Sequence, residues 1–312
     1  MPGVSDGAPP VWVQLLGPVR ARRGGQQLSL GPRQQQLVLA VLALRAGTAV
    51  SREELVDAVW DRAPGSAVNG VHKYVHGLRS ALEPGGRGNP ARVLVSVSGG
   101  YELRLAPGQL DAAVFAGHRQ AARRSRAAGD PARAARHLAA GLALWQGNAL
   151  SGIGGQWAHA QAQRLAEARL SAVEEHTEVR LALGRHGELT GELAGLVAAH
   201  PLREGLWSQL ILALYRCGQR AQALAAYHDA RRTLISELGV EPERRLTRLY
   251  QQVLAADPQL DLPSPALALL ATATPPQREP SRRPSCPHRP RGQARGPGRG
   301  QLPGHGEPAR RR

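Results

Sequence analysis

Asn69, His72, Lys73, His76 and Ser80 recur at helical spacing, with Arg79 at the margin of the set. At 3.6 residues per turn they share one face of a helix, and that face carries hydrogen-bonding side chains and cations but no carboxylate. Such a face suits an anionic surface rich in acceptors, as in a DNA major groove, where base edges accept and phosphates flank them. A solvated outer face would look the same on this helix alone, so the surrounding chain has to decide. His72 and His76 also have the i, i+4 spacing of helical metal ligands, but no third ligand or nearby cysteine accompanies them. No metal, cofactor or catalytic residue is therefore expected. The acidic pairs Glu53-Glu54 and Glu174-Glu175 diverge around a helix, which argues against paired acid/base work. There is no GxxxxGK[ST] loop, and Gly152-Ile153-Gly154-Gly155 does not follow a strand or match a dinucleotide fingerprint, so an enzyme is not expected.

The polar face needs a buried one behind it. Val68, Val71, Val75, Leu78 and Leu82 form an apolar stripe on a helix from Ser66 to Glu83. Pro64-Gly65-Ser66 supplies a break and an N-cap, and Glu83-Pro84-Gly85-Gly86 a stop. Upstream, Ser51-Arg52-Glu53-Glu54 is a capping box that starts a helix with Leu55, Val56, Val59 and Trp60 inward. Arg33 opens a helix through Leu44 that is apolar over most of its circumference, and its first-turn N–H groups with the added cation could hold a phosphate. Before it, Val11–Leu16, Val19–Arg22 and Leu28–Leu30 read as short strands, with a turn at Gly24-Gly25. After the Ser66–Glu83 helix, Arg92–Ser98 and Tyr101–Leu105 alternate around Gly99-Gly100, a hairpin signal. The expected architecture is an α+β winged helix-turn-helix followed by an all-α, tetratricopeptide-like repeat half and a disordered tail.

Charge supports this division. Residues 10–106 hold twelve basic and six acidic side chains, whereas residues 107–262 hold eighteen against fifteen. A basic first half beside a nearly neutral second one is what a nucleic-acid module joined to a protein-contact module would show. Cys217 and Cys286 give no disulfide framework or zinc spacing, and the longest apolar run near the N-terminus, Val11–Leu16, is too short for a membrane span. A cytoplasmic, nucleoid-associated location without membrane contact is expected.

The order of motifs GPRQQQLVLAVLAL, SREELVDAVW, VHKYVHGLRSALE and SGGYELRL resembles the OmpR-type winged-helix domain. With VWVQLLGPV in front, the chain looks like the SARP family, the actinobacterial antibiotic regulatory proteins. The resemblance implies that the third helix enters the major groove and that the hairpin is a wing approaching the minor groove. His72, Lys73, His76 and Arg79 would then face bases and phosphates, with Asn69, Arg33 and Arg52 as further DNA contacts and Gly99, Gly100 and Tyr101 as the wing tip. The family usually reads Ser-Arg-Leu-Arg-Arg where this chain has His76-Gly77-Leu78-Arg79-Ser80. Two missing phosphate contacts would lower the salt slope by roughly 0.9 each, and Gly77 would weaken the helix by about 1 kcal/mol relative to alanine.

From Asp111 onward the pattern is helical only. Gly129, Gly184 and Gly218 are each followed at five, nine and twelve residues by small or apolar positions: Ala134, Leu138, Gly141; Leu189, Leu193, Leu196; Ala223, Tyr227, Ala230. This is the signature of stacked helical hairpins of the tetratricopeptide kind. LDAAVF, AGLALWQGNAL, HPLREGLWSQLILALYRCGQRAQALAAYHDA and LYQQVL resemble the bacterial transcriptional activation domain of SARP proteins. Arg119, Arg123 and Arg126 share one face, read as a solvated charged row or a second phosphate contact. The expected organisation is a flexible leader at 1–10, a winged helix at 11–106, a helical activation domain at 107–262 and a Pro/Gly/Arg-rich tail at 263–312. The resemblance implies an activator that binds direct repeats in double-stranded promoter DNA, pairs as a homodimer there, and holds the RNA polymerase holoenzyme at secondary-metabolite genes. The rival expectation is a repeat scaffold whose winged helix has become a protein-contact module.

Overall fold

The computed structural model describes residues 9–83 and 93–261. The expectations for the leader before residue 9, for the stop after Glu83 and for the 263–312 tail lie outside them. Strands β1 (Val11–Gln14), β2 (Arg20–Arg23) and β3 (Gln26–Gln27) form an antiparallel meander in which Val11 pairs with Arg23 and Arg22 with Gln27. Leu28–Leu30 is not the third strand expected. The Gly24-Gly25 turn, at positive φ, pairs Arg23 directly with Gln26. One more bond follows, from the Leu28 N–H to the Ala21 carbonyl at 2.9 Å; the pairing ends there and Leu30 drops into the core.

Helix α1 (Arg33–Leu44) buries Leu37 through Ala43 almost without interruption, which fits its central place. A short strand β4 (Val50–Ser51), not anticipated, leads into α2 (Arg52–Val59), and the Ser51/Glu54 capping box is formed with both bonds present. Helix α3 (Ala67–Leu82) follows, then β5 (Leu94–Val97) and β6 (Gly100–Leu103). The sheet order is β4-β6-β5, so the hairpin is anchored on the strand that precedes α2. Two details of α3 differ from expectation. Its buried stripe is Ala67, Val71, Val75, Leu78 and Leu82, while Val68 is 45% exposed: adjacent residues lie about 100° apart, and Ala67 takes the place four before Val71. Ser66 is not a side-chain cap; at φ −92° and ψ 9° it sits in a turn where the Ala67 N–H donates to the Pro64 carbonyl.

The second half is α4 (Asp111–Ala127), α5 (Pro131–Leu142), α6 (Gln156–Ala182), α7 (His186–Ala199), α8 (Glu204–Arg216), α9 (Arg220–Leu238) and α10 (Arg244–Ala255). Gly129, Gly184 and Gly218 each take φ between +74° and +80° at a turn between consecutive helices, a conformation glycine reaches without strain. At Gly141 a Cβ would come within 3.1 Å of His118, so the bare backbone lets α5 lie close against α4.

Two cores result. One runs from β1 through α1, α2 and α3 and continues into Phe115, Leu138, Trp145, Leu165 and Val179, so no break in packing separates the winged helix from α4–α6. The other gathers α7–α10 around Leu193, Ile211, Tyr227 and Val253. The first crosses residue 106 through Asp111, whose 1%-exposed carboxylate accepts the backbone N–H groups of Leu15 at 2.9 and 2.8 Å, Leu16 at 2.8 Å and Ala112 at 2.7 Å. The N–H groups of Gln146 and Leu150 in turn donate to the carbonyls of Leu16 and Leu15.

Candidate nucleic-acid interface

Helix α3 packs its stripe against α1 and α2 and leaves Asn69, His72, Lys73, His76 and Ser80 exposed. The side chains of Asn69, Lys73 and His76 make no hydrogen bond or ion pair among the described residues. Their donors are available to a partner, and the His72 ring leans edge-on toward Tyr101, with centroids 6.4 Å apart.

The flanks of α3 explain how it is held. On the side toward α1 and α2 it carries glycine twice. A Cβ on Gly70 would meet the Trp60 ring at 3.0 Å, and that ring stacks on Tyr74, whose hydroxyl donates to Gln34 at 2.8 Å. A Cβ on Gly77 would lie 2.5 Å from Gln35 Oε1, so the buried Gln35 carboxamide occupies the space an arginine stem would need. The departure from the family pattern at Gly77 is thus matched by its neighbour on α1. At the C-terminal end the Arg23 guanidinium donates to the Leu82 carbonyl, satisfying one of the carbonyls a helix terminus leaves free.

On the other flank stands Arg79, expected to face the DNA. Its Nε donates to the Leu94 carbonyl at 2.9 Å, its Nη2 to Ser96 Oγ at 2.9 Å, and its guanidinium lies 5.8 Å from the Tyr101 ring centroid. Both hydrogen bonds and the ring contact go to the hairpin, so Arg79 joins α3 to the wing. Of the three expected tip residues, only Gly99 is in the turn, at φ +76° in open space. Gly100 and Tyr101 are a correction: they belong to β6, where a Cβ on Gly100 would strike the Val50 carbonyl and Tyr101 is 6% exposed. The register that pairs Ser51 with Gly100 brings the β6 backbone too close to β4 for any side chain there.

Arg33 is exposed in the first turn of α1, where Pro32 gives no side-chain cap and no acidic residue intervenes. Arg52 opens α2 half-buried; its N–H donates to the Gly99 carbonyl at 3.2 Å, while its Nε is buried without a partner. In the row Arg119, Arg123 and Arg126, Arg123 and Arg126 are exposed, as a solvated charged face would be, and all three guanidiniums already meet carboxylates. Arg119 and Arg123 both bond Glu175 Oε1, at 2.8 and 2.9 Å, and Arg126 pairs with Glu178 at 3.1 Å. Burial alone would push the Glu175 carboxyl up, but the two guanidiniums outweigh it and hold it below the usual range. Among the described residues no group of three or more His, Cys, Asp or Glu side chains is placed to hold a metal, so His72 and His76 gain no third ligand there. No helix among them is long and apolar enough to cross a membrane.

Residues 25–103 match the family described as "Transcriptional regulatory protein, C terminal", and residues 110–254 the "Bacterial transcriptional activator domain". The regulatory protein AfsR of Streptomyces coelicolor is 46% identical over 262 residues, which is 83% of this chain and 26% of that protein. This chain thus spans about a quarter of AfsR's length. The regulatory protein DnrI of Streptomyces peucetius is 35% identical over 266 residues, which is 83% of this chain and 98% of that protein. The solved structure of Mycobacterium tuberculosis EmbR in complex with a low-affinity phosphopeptide superposes with a TM-score of 0.75 at 33% identity, over 79% of this chain and 65% of that one. With both domains matched in order and DnrI covered from end to end, the chain belongs to the SARP family of DNA-binding transcriptional regulators.

Proposed function

We propose that this protein is a sequence-specific transcriptional activator in which α3 reads promoter DNA and the helical half, residues 107–262, contacts the transcription machinery. The observation that carries the reading is the row Asn69, His72, Lys73 and His76: exposed, free of carboxylates, and presented beside the hairpin. Lys73 and Asn69 supply donors for guanine and adenine edges, and the two histidines supply donors or acceptors according to tautomer. Arg33, at a free helix N-terminus, and Arg52, beside the wing turn, position the flanking phosphates, and Gly99 at the tip approaches the minor groove. Direct repeats in double-stranded DNA would seat two protomers as a head-to-tail homodimer that holds the RNA polymerase holoenzyme. Secondary-metabolite promoters are the proposed targets, and the cytoplasm, at the nucleoid, is the proposed location. The proposed division is a winged helix at 11–106 and a helical activation domain at 107–262.

A second reading, a repeat scaffold with a degenerate winged helix, draws support from one observation: Arg79 and Gly77, two positions of the family's basic run, serve internal contacts. A gel shift separates the two. The protein is titrated onto promoter fragments flanking its own gene at two salt concentrations, beside Lys73→Ala. The activator reading expects one fragment shifted specifically, with Lys73→Ala weakening it by about 1–3 kcal/mol, the range for a base-edge contact. A folded protein that shifts nothing even at low salt would favour the scaffold.

A further inference from the structure

Helices α6, α8 and α10 enclose an open groove of about 760 Å³. Its floor is α8, with Ser208, Gln209 and Leu212 facing up, joined by Leu249 from α10. One wall is α6 with Glu174, Glu175 and Glu178, and the facing wall is α10 with Arg244, Arg245 and Arg248. Opposite charges thus line opposite sides, yet no ion pair among the described residues joins the two walls. The groove is held open at both ends. The Glu243 N–H donates to Glu204 Oε2 at 2.8 Å, fixing the start of α10 on α8, and Arg216 bridges α8 to the carbonyls of Leu181 and Leu260 at 3.0 and 2.8 Å.

The two walls are not electrostatically equal. Glu175 and Glu178 are already neutralised from behind by Arg119, Arg123 and Arg126, and burial pushes the Glu174 carboxyl up. On α10, by contrast, the three guanidiniums are exposed and make no hydrogen bond or ion pair among the described residues, and only Arg248 has a carboxylate, Asp257, near enough to feel its charge. Elsewhere in the helical half Arg180, Arg203, Arg231 and Arg232 reach carboxylates, while Arg133 and Arg136 on α5 are exposed without an ion pair among the described residues but do not line this groove. What the groove offers is a row of exposed forked donors along one edge, an apolar strip at Leu212 and Leu249 on a floor whose Ser208 and Gln209 are hydrogen-bonded within the chain, and a second edge carrying carboxylates.

We infer that this groove binds an acidic segment of a partner protein, its carboxylates along α10 and its apolar side chains on Leu212 and Leu249. Arginine forks match carboxylates bidentately, and arginine clusters are a recurrent solution for acidic motifs. A nucleic-acid backbone fits less well. It is anionic on every side and would press phosphate against the α6 glutamates, whereas a peptide can carry its acids on one flank only. The inference concerns a surface separate from α3 and does not rest on which DNA the protein reads.

Fluorescence anisotropy of the full chain with three labelled twelve-residue peptides tests it: one with leucine on one face and glutamate along one flank, one with glutamine replacing glutamate, and one with lysine. The acidic peptide should bind at least tenfold more tightly than the neutral one. Arg244→Gln/Arg245→Gln/Arg248→Gln should remove that preference, and the triple change to glutamate should transfer it to the lysine peptide. The control Arg133→Gln/Arg136→Gln, exposed arginines on α5, should change it less than twofold. Equal loss in the control, no preference in the wild type, or displacement of the peptide by a random-sequence duplex would each overturn the inference, the last in favour of nucleic acid. Gel shifts of the same α10 variants on promoter DNA should match wild type, so failure of the groove and failure of DNA reading appear in different assays.

Discussion

Arg79 shows how a side chain's place on a helix can be legible while its contacts within the chain are not. Its position at the edge of the polar face was evident from helical spacing, and so was its charge. What spacing could not convey is that the hairpin comes back within reach, with Leu94 and Ser96 offering acceptors to Nε and Nη2. A guanidinium makes both bonds because its donors are held in a rigid fork; an ammonium is a point charge on a flexible stem. Arg79→Lys therefore keeps the charge and loses the tether. We expect backbone amides from Leu94 to Leu103 to exchange faster in Arg79→Lys than in wild type without DNA present, while those of α1 are unchanged. Promoter affinity should fall as far as in Arg79→Ala. A lysine variant that binds like wild type would mean that Arg79 acts by its charge alone. The exposed quartet Asn69, His72, Lys73 and His76 needed no such correction of position, because its exposure depends only on the phase of one helix.

At the scale of elements, long periodic segments were legible and short ones were not. The α3 stripe, the α2 capping box and the glycine-punctuated hairpins of the second half each repeat a local pattern that burial enforces. Strand β4 has two residues, too few for any periodicity, and exists because β6 lies beside it. Val68 was misplaced because two adjacent apolar residues open α3 and only one can take the stripe. The α1–α3 contact is also invisible in either helix alone, since it consists of a missing side chain at Gly77 and a buried carboxamide at Gln35. The pair should behave as a unit. Gly77→Arg alone forces Gln35 out of its site and should lower the melting temperature. Gly77→Arg combined with Gln35→Ser makes room for the stem, and should recover stability and steepen the salt dependence of promoter binding by about 0.9 in slope for the added phosphate contact. Additive losses in the two single variants and the double, measured by thermal melts, would mean the two residues are independent.

For the whole molecule, the question is what fixes the reading helix relative to the helical half. The continuous first core supplies the apolar part of the answer, and Asp111 supplies the directional part: it is the first residue of α4, and its carboxylate accepts from the backbone where β1 ends. No local pattern could have revealed it, because the partners lie 96 and 95 residues away. Asp111→Ala would leave the buried Leu15 and Leu16 N–H groups without acceptors, at about 1–3 kcal/mol for each orphaned donor. Asp111→Asn keeps the shape but turns one oxygen into an NH2 facing those same donors, so it too should be destabilising, by less than alanine. The pH dependence separates charge from shape. Burial pushes the Asp111 carboxyl above its ordinary value, against the pull of its backbone donors from Leu16, Leu15 and Ala112. The folded state therefore binds this proton more tightly than the unfolded chain, so the group favours folding most below its unfolded pKa, and that advantage is lost as pH rises through the folded one. Urea midpoints taken at intervals across the acid range should show wild type losing stability relative to Asp111→Asn as pH rises through that window. Parallel curves for the two proteins would mean that the carboxyl titrates alike folded and unfolded. A variant that keeps its melting temperature would show that the apolar core alone aligns α3 with the helices behind it.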